Sequence, residues 1–367
     1  MSSHRVTAIL VLHDGATWLP EVVTSLTSQT HPIERVIAVD TGSTDSSVNL
    51  VKGARIPVLA MARDTGFGEA VAHAVDSLPA VVDSDHEWIW ILHDDLSLDP
   101  NALANLIKEI DLRPNAAMAG PKLLGWNDRT HLLEIGISIA ANGNRWTGLE
   151  RFEYDQGQRD GVHEVLAVST AGALIRRDVF TQLGGFDPNL DLFRDDVDFG
   201  WRLYSAGYVA IAVSSAVAYH AEASANERRT VDVAEAFLHR PLLLDRRNAA
   251  YVLLVNSSWW RLPFLVVQLF FGALIRSTGF LFAKLPGYAS DELLAVGTQL
   301  LHPAELFTAR KARRRQRLVP SGVVLKFVPS RWSQIRQSLL RTTEWFRSQI
   351  FPNEISEAPI SSVLDEN

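Results

Sequence analysis

The chain has 367 residues, of which 47% are hydrophobic and 21% charged, and these proportions are those of a globular protein rather than a disordered one. Its formal net charge of -7 argues against a general polyanion binder, so we expect no nucleic-acid partner. The absence of cysteine excludes disulfides, thiolate catalysis and cysteine-ligated zinc.

The N-terminal part alternates short apolar runs with segments of helical spacing. The apolar runs predict strands at residues 6–12, 35–39, 57–60 and 88–92. The other segments predict helices at residues 18–29, 45–51, 68–78 and 101–110. Asp99 followed by Pro100 favours a helix start at that point. Apolar strands that alternate with helices are typical of a mostly parallel sheet flanked by helices, so we predict an α/β fold.

Residues 116–220 follow a different pattern, with short strands separated by glycine turns. We predict strands at residues 135–139, 165–169 and 172–175 and a helix at residues 177–183. These elements favour a smaller mixed sheet attached to the parallel one.

Acidic side chains stand where the predicted strands end. Asp40 and Asp64 follow two of the apolar runs, and His93, Asp94 and Asp95 follow the run at residues 88–92. In open parallel sheets, ligands bind beyond the carboxyl ends of the strands, so we expect these side chains to converge on one crevice.

A second acidic cluster strengthens the case for a bound cation. It comprises Asp195, Asp196 and Asp198. Burying carboxylates costs several kcal/mol per ion unless a cation or hydrogen bonds offset it. We expect Mg²⁺ or Mn²⁺, with Asp95 as the first ligand and His220 as the second, because such an ion also binds the oxygens of a nucleoside diphosphate. The alternatives are solvated aspartates at a strand end and a structural histidine.

Five motifs occur in order within residues 1–225. They are Asp40-Thr41-Gly42-Ser43-Thr44-Asp45, His93-Asp94-Asp95, Gly184-Gly185-Phe186-Asp187, Asp195-Asp196-Val197-Asp198-Phe199-Gly200-Trp201-Arg202 and Val217-Ala218-Tyr219-His220. Together they resemble the family 2 glycosyltransferases of the GT-A fold. The resemblance implies an inverting enzyme that transfers a sugar from a nucleoside-diphosphate donor to a hydroxyl group.

On the donor side, the resemblance implies contacts from Asp40, Asp64, His93 and Asp94. Asp40 would contact the nucleobase or ribose, and Asp95 and His220 would coordinate the metal. His93 replaces the usual first aspartate of its triplet and is expected to bind the diphosphate or the donor sugar. The donor is expected to be linked to UDP or dTDP.

On the acceptor side, the resemblance implies that Asp196 is the general base, because an alcohol is a weak nucleophile until a positioned base takes its proton. Asp195 and Gly172 are expected near the acceptor, although Asp195 stands where glutamate is common. Trp201 is expected to form part of a sugar-binding platform. The alternative for Trp201 is a position in the core.

Residues 262–283 are strongly apolar and long enough to cross a bilayer. The segment could span the membrane, lie on it or be a buried helix. A helix lying on the membrane is favoured because a basic stretch follows. This stretch, between Glu305 and Glu344, is expected to offer a surface for phosphate. The C-terminal third is similar in order and composition to the membrane-proximal part of actinobacterial cell-envelope glycosyltransferases. The resemblance implies a glycan or polyprenyl-linked acceptor.

We expect four segments along the chain. These are a nucleotide-sugar-binding half at residues 1–115, an acceptor-binding and catalytic half at 116–230, a helical membrane-proximal region at 231–350 and a disordered tail at 351–367. The start of the chain lacks a secretion signal pattern, so we expect the enzyme at the cytoplasmic face of the cell membrane. Two rival functions remain open, a sugar nucleotidyltransferase and a catalytically silent glycan-binding or anchoring module.

Overall fold

The computed structural model describes residues 4–81, 83–150, 153–222, 241–330, 332–334 and 336. The chain divides into two compact units, Met1–Phe327 and Val328–Asn367, and the helices and strands named in this section belong to the first unit. The disordered tail predicted at residues 351–367 lies outside the described residues. The four-segment division stays a prediction.

The elements of the first unit are numbered in chain order. The strands are β1 (Arg5–Leu12), β2 (Arg35–Asp40), β3 (Val58–Ala60), β4 (Glu87–His93), β5 (Leu96–Leu98), β6 (Ala116–Gly125), β7 (Leu132–Glu134), β8 (Ser138–Ile139), β9 (Arg145–Trp146), β10 (Val162–Val165), β11 (Leu174–Arg176) and β12 (Val209–His220). The α-helices are α1 (Leu19–Thr27), α2 (Ser47–Gly53), α3 (Phe67–Asp76), α4 (Ala102–Asp111), α5 (Arg177–Gln182), α6 (Asp195–Ser205), α7 (Pro241–Asn256), α8 (Leu262–Phe282), α9 (Pro286–Leu301) and α10 (Pro303–Gln316). Short 3-10 helices occur at Trp259–Arg261 and Ser321–Phe327.

One large sheet organises this unit, with the strand order β10-β12-β6-β11-β4-β1-β2-β3. Strands β4, β1, β2 and β3 are parallel neighbours, as the sequence predicts. Strand β11 runs antiparallel between β4 and β6, and β5 and β7 pair with β12 and β6. The mixed strands therefore extend the parallel sheet, and of the described strands only the β8–β9 pair stands apart from it.

The sheet is covered on both faces, and β1 shows why its sequence is continuously apolar. Its side chains alternate between two hydrophobic cores: Ile9 and Val11 belong to one, and Ala8, Leu10 and Leu12 to the other. Because successive strand residues point to opposite faces, a strand with a core on each side must be apolar throughout. The α/β prediction is confirmed.

Several predicted boundaries differ from the structure, among them the following three. Helix α4 begins at Ala102, two residues after Pro100, and the Asp99 carboxylate accepts the N–H of Asn101 at 2.9 Å just before that start. The strand predicted at residues 135–139 is interrupted at Gly136, whose φ of 78° lies in the left-handed region. The strand predicted at residues 165–169 is found earlier, as β10 at residues 162–165.

The basic stretch after Glu305 is partly structural. Arg310 donates to the carbonyl oxygens of Leu254 and Ser257, and Arg317 donates to that of Asn256 at 3.1 Å. Arg313 pairs with the buried carboxylates of Asp187 and Asp198. These three arginines therefore join α10 to the body of the unit instead of forming the expected phosphate-binding surface. Two other basic residues of the stretch, Arg331 and Arg341, lie outside the described residues.

Candidate active site

Strand pairing brings the proposed metal ligands together. In the antiparallel β5–β12 ladder, His220 lies opposite Leu96, and the N–H of Ala221 donates to the Asp95 carbonyl oxygen at 3.0 Å. This register places His220 Nε2 3.2 Å from Asp95 Oδ1. His93, the last residue of β4, brings its Nδ1 to 4.0 Å from the same oxygen.

The donor set of His93, Asp95 and His220 fits a divalent ion. One ligand atom from each residue lies within 4.8 Å of the others. His93 Nε2 is 3.1 Å from Thr170 Oγ1, and a neutral imidazole that donates this bond keeps its Nδ1 lone pair for a metal. Burial lowers the pKa of His220, but the charge and hydrogen bond of Asp95 raise it above its ordinary value. A divalent cation at this position would replace that proton as the partner of Asp95.

The second acidic cluster begins helix α6. The two residues before the Asp195-Asp196 pair, Phe193 and Arg194, have left-handed φ angles of 67° and 70°. Such backbone costs on the order of 1 kcal/mol per non-glycine residue, and the surrounding structure must hold it. The Arg194 guanidinium does so through two hydrogen bonds to Asp245 of α7, at 2.7 and 3.0 Å. The first turn of a helix also favours the negative charge of the pair.

Helix α6 lies close to the backbone of the preceding segment because of Gly200. A Cβ at this position would lie 2.2 Å from the Leu166 carbonyl oxygen, so no larger residue fits without a shift. Behind the acid pair, Asp198 is fully buried and bonds Arg202 and Arg313. Burial raises the pKa of Asp198, but these two cations bring it below its ordinary value. The motif therefore combines two cavity-facing acids with one structural acid.

Arg145 connects two carboxylates at the site. Its Nη1 donates to Asp196 Oδ2 at 2.7 Å and its Nη2 to Glu134 Oε2 at 2.8 Å. The other oxygen of Asp196 accepts the Val197 N–H at 2.7 Å. Burial lowers the pKa of Arg145, but the charges of Asp196 and Glu134 raise it more. This cation therefore stays charged and fixes the orientation of the Asp196 carboxylate.

Asp195 has a different electrostatic environment from Asp196. Burial, followed by the negative charge of Asp196, raises the pKa of Asp195 to about 7. Asp195 therefore keeps its proton at pH values where an ordinary aspartate has lost it.

The metal-ligand cluster and the acid pair line one cavity of about 1180 Å³. This volume exceeds the range of about 300–1,000 Å³ that is typical of small-molecule sites, and it leaves room for two substrates. Its wall also includes the turn between α8 and α9, residues 284–288. The cavity therefore extends from the ends of the central strands to the C-terminal helices.

Five of the predicted site residues line this cavity and five do not. Those on the wall are His93, Asp95, Asp195, Asp196 and His220, and those off it are Asp40, Asp64, Asp94, Gly172 and Trp201. Asp94 is buried and its carboxylate accepts the His13 N–H at 2.6 Å, so it holds the loop after β1. Asp40 likewise accepts the Ser43 N–H at 3.1 Å, whereas Asp64 is exposed.

The two other acceptor-side predictions have no support in this geometry. Trp201 is only 3% exposed and belongs to the hydrophobic core, so the alternative of a core position fits it better than a sugar platform. Gly172 has a left-handed φ of 96°, and a Cβ there would lie 2.8 Å from Pro121 Cγ. The local backbone therefore accounts for this glycine without a ligand.

Sequence reasoning missed Arg145, Glu134, Thr170 and Lys284, all of which line the cavity. Glu134 and Arg145 lie on the short strands β7 and β9, which carry no motif. His93 was expected to contact the donor, and the structure groups it with the metal ligands. For Glu134 and Arg145, the signal in the sequence was limited to the glycine turns around residues 136–148.

Comparison with known proteins shows the family. Residues 4–234, more than half of the chain, match the family model described as Glycosyltransferase like family 2. The chain belongs to this family and is a glycosyltransferase. Its fold is GT-A-like: GalNAc-T7, crystallised with UDP, GalNAc and Mn²⁺, superposes with a TM-score of 0.53 and 13% identity over 79% of this chain. The chain spans about half, 54%, of that structure.

Two relatives are named for sugar transfer and for O-antigen biosynthesis. The N-acetylglucosaminyl-diphospho-decaprenol L-rhamnosyltransferase of Mycobacterium tuberculosis is 25% identical over 277 residues, which are 70% of this chain and 86% of the relative. The O-antigen biosynthesis protein RfbC of Myxococcus xanthus is 26% identical over 174 residues, which are 45% of this chain and 14% of the relative.

Proposed function

We propose that this glycosyltransferase moves a sugar, with inversion and metal dependence, from a UDP- or dTDP-linked donor to a hydroxyl of a lipid-linked glycan. The observation that carries the proposal is the single cavity on which the His93–Asp95–His220 cluster and Asp196 both lie. A donor diphosphate at the cluster and an acceptor hydroxyl at Asp196 would then meet in one cavity.

Asp95 and His220 would hold Mg²⁺ or Mn²⁺, with His93 as a third ligand or as a donor to the diphosphate. Such an ion supplies Lewis acidity that stabilises charge on the departing nucleoside diphosphate. On the donor side, Asp40 and Asp64 keep their proposed contacts with the nucleotide. Asp94 would act there through the loop that its bond to His13 holds.

Asp196 would take the proton of the acceptor hydroxyl. The new bond joins that oxygen to the anomeric carbon, and the bond from this carbon to the diphosphate oxygen breaks on the opposite side. Arg145 and the Val197 N–H each use one acceptor site on Asp196, and a carboxylate has about four such sites. The remaining sites allow Asp196 to accept the hydroxyl while Arg145 holds its orientation.

The acceptor side of the proposal rests on the C-terminal helices and the mycobacterial relative. That relative is named for an acceptor in which a diphosphate links the sugar to decaprenol. In this chain, Trp259–Phe282 has 24 residues, and an 18-residue stretch within it has a mean hydropathy of 1.7, so the segment is long and apolar enough to cross a membrane. Only 22% of that 18-residue stretch is buried. A lipid-linked acceptor would be presented beside this exposed surface.

We place α8 along the cytoplasmic surface of the membrane instead of across it. The Gln268 side chain donates to the Ala141 carbonyl oxygen at 2.8 Å, so α8 lies against the catalytic unit. Arg276, in the C-terminal half of α8, bonds the buried Glu292 of α9 at 2.8 Å. A spanning α8 would draw this charged pair into the bilayer, at a cost of a few kcal/mol per charge.

Asp196→Asn tests the catalytic assignment. Because the amide cannot accept the proton, we expect release of nucleoside diphosphate to fall about a hundredfold or more. The assay contains the nucleotide sugar, Mn²⁺ and membrane extract. Thermal shifts with nucleoside diphosphate and Mn²⁺ should match wild type, because the donor site is unchanged.

Asp191→Asn is the matched control, since Asp191 is an exposed neighbour, and it should keep full activity. Comparable turnover by Asp196→Asn would reject the base assignment. A wild-type protein that releases no nucleoside diphosphate from any donor would favour the silent binding module. Formation of a nucleotide sugar from sugar 1-phosphate would favour a nucleotidyltransferase.

A further inference from the structure

The turn between α8 and α9 carries a lysine where glycine is expected. The Leu285 N–H donates to the Phe280 carbonyl oxygen at 2.8 Å and the Lys284 N–H to that of Leu281 at 3.0 Å. This pair of bonds is the Schellman pattern, whose left-handed position strongly favours glycine. Lys284 occupies that position with a φ of 58°. The chain therefore keeps a lysine here at the expense of backbone stability, and such strain is frequent at functional sites.

Lys284 also lines the cavity that contains the acid pair. Carboxylates outnumber cationic side chains on the described wall, which includes Arg145, Arg194 and Lys284 as its cations. Arg145 pairs with Glu134 and Asp196, and Arg194 pairs with Asp245. Among the described lining residues, the Lys284 ammonium is the cation that no carboxylate neutralises. An anionic group entering from this side would find its positive partner here.

Exposed apolar side chains flank Lys284. Phe282 is 86% exposed and Leu281 is also exposed. Leu285 and Tyr288 are exposed as well and line the cavity beside Lys284. These side chains continue the exposed face of α8. Lys284 therefore lies where an apolar surface meets a polar cavity. A lipid-linked sugar bound there would have its lipid tail on the apolar surface and its sugar in the cavity.

We propose that Lys284 binds the phosphate group through which the acceptor glycan is attached to its lipid. This inference rests on the proposed function, because it assumes a lipid-linked acceptor. The lipid lies along the apolar face beside Phe282, its phosphate contacts the ammonium, and the sugar extends into the cavity toward Asp196. A charge-assisted bond of this kind positions the acceptor without neutralising the acidic wall.

The test compares binding of the full-length protein to vesicles. The vesicles contain phosphatidylcholine alone, or with polyprenol, polyprenyl diphosphate or phosphatidylglycerol. Wild type should bind the polyprenyl diphosphate vesicles most tightly, and Lys284→Met should lose about tenfold in affinity for these alone. Lys311→Met, which removes an exposed lysine from α10, should bind as wild type does.

Lys284→Gly separates a functional lysine from a structural one. Glycine suits the left-handed turn, so the melting temperature should equal or exceed that of wild type, while affinity for polyprenyl diphosphate falls as in Lys284→Met. A lower melting temperature together with unchanged affinity would overturn the inference.

Three other results would also overturn it. These are equal affinities of wild type and Lys284→Met for polyprenyl diphosphate, an equal loss on phosphatidylglycerol vesicles, and full competition by inorganic diphosphate. The second would indicate general attraction to anionic lipid, and the third a site for free phosphate. Because Asp196→Asn should bind all vesicles as wild type does, a failure of catalysis leaves this binding test intact.

Discussion

At the scale of single residues, the acid pair at the start of α6 combines two different carboxylates. Asp196 is held by Arg145 and by a backbone N–H, whereas burial and the neighbouring charge raise the pKa of Asp195 to about 7. An enzyme that needs an ionised base beside a second acid keeps such a pair even though it destabilises the fold.

This pair predicts how stability depends on pH. The folded protein retains a proton on Asp195 that the unfolded chain, with an ordinary pKa of 3.8, has released. The free energy of unfolding therefore falls as pH rises from about 4 to about 7 because of this group. Asp195→Asn should remove that dependence and stabilise the protein by a few kcal/mol above pH 7, with little effect near pH 4.

Denaturant unfolding between pH 4 and pH 8 measures this difference. For Asp64→Asn, which changes an exposed carboxylate, the free energy of unfolding plotted against pH should run parallel to that of wild type. A parallel plot for Asp195→Asn would contradict the raised pKa of Asp195 in the folded state.

Residue types at the site were predictable only where a motif carried them. Asp95 and His220 followed from the triplet and the strand end, and the β5–β12 register brings them together. Arg145 and Glu134 were not predictable, because they come from two short strands whose positions depend on tertiary packing. Trp201 could not be assigned to core or cavity from its spacing alone, since both positions suit an aromatic ring on α6.

At the scale of elements, α8 presents two different faces. A stripe at four-residue spacing, Leu265, Leu269, Ala273 and Ser277, is buried. The remaining surface exposes large apolar side chains such as Phe264, Phe271 and Ile275. Such an unpartnered apolar face beside a catalytic cavity is typical of membrane attachment.

Ile275→Glu tests the membrane-facing role of α8. Ile275 is 71% exposed, so the change should leave the melting temperature unaltered. Affinity for phosphatidylcholine vesicles should fall about tenfold or more, because inserting a carboxylate into the apolar layer costs a few kcal/mol. Leu112→Glu changes a residue that is 66% exposed at the end of α4 and should bind as wild type does. Equal binding by both variants would contradict the assignment.

Elements with strong periodicity were predictable and their connections were less so. The strand predictions around Ile9, Ile37 and Ile91 were correct because both faces of each strand are apolar. The antiparallel position of β11 between β4 and β6 had no local signal, because strand order depends on contacts distant in sequence. The arginines of α10 were misread because charge alone does not distinguish a solvated side chain from one paired with a buried acid.

At the scale of the whole molecule, one cavity joins three parts of the chain. The residues at the ends of β4 and β12 are the proposed cation ligands, the start of α6 supplies the acid pair, and the α8–α9 turn supplies Lys284. This arrangement orders the proposed substrates, with the nucleotide at the strand ends and the lipid at the C-terminal helices. The α/β class and the family were predictable from the motifs, whereas this convergence required the fold.

The most direct test of the central claim is anomalous diffraction from crystals grown with Mn²⁺ and a nucleoside diphosphate. We predict one strong manganese peak at coordination distance from Asp95 and His220, in the cavity whose wall also contains Asp196. A manganese peak elsewhere, or none at that position with the nucleotide bound, would contradict the account.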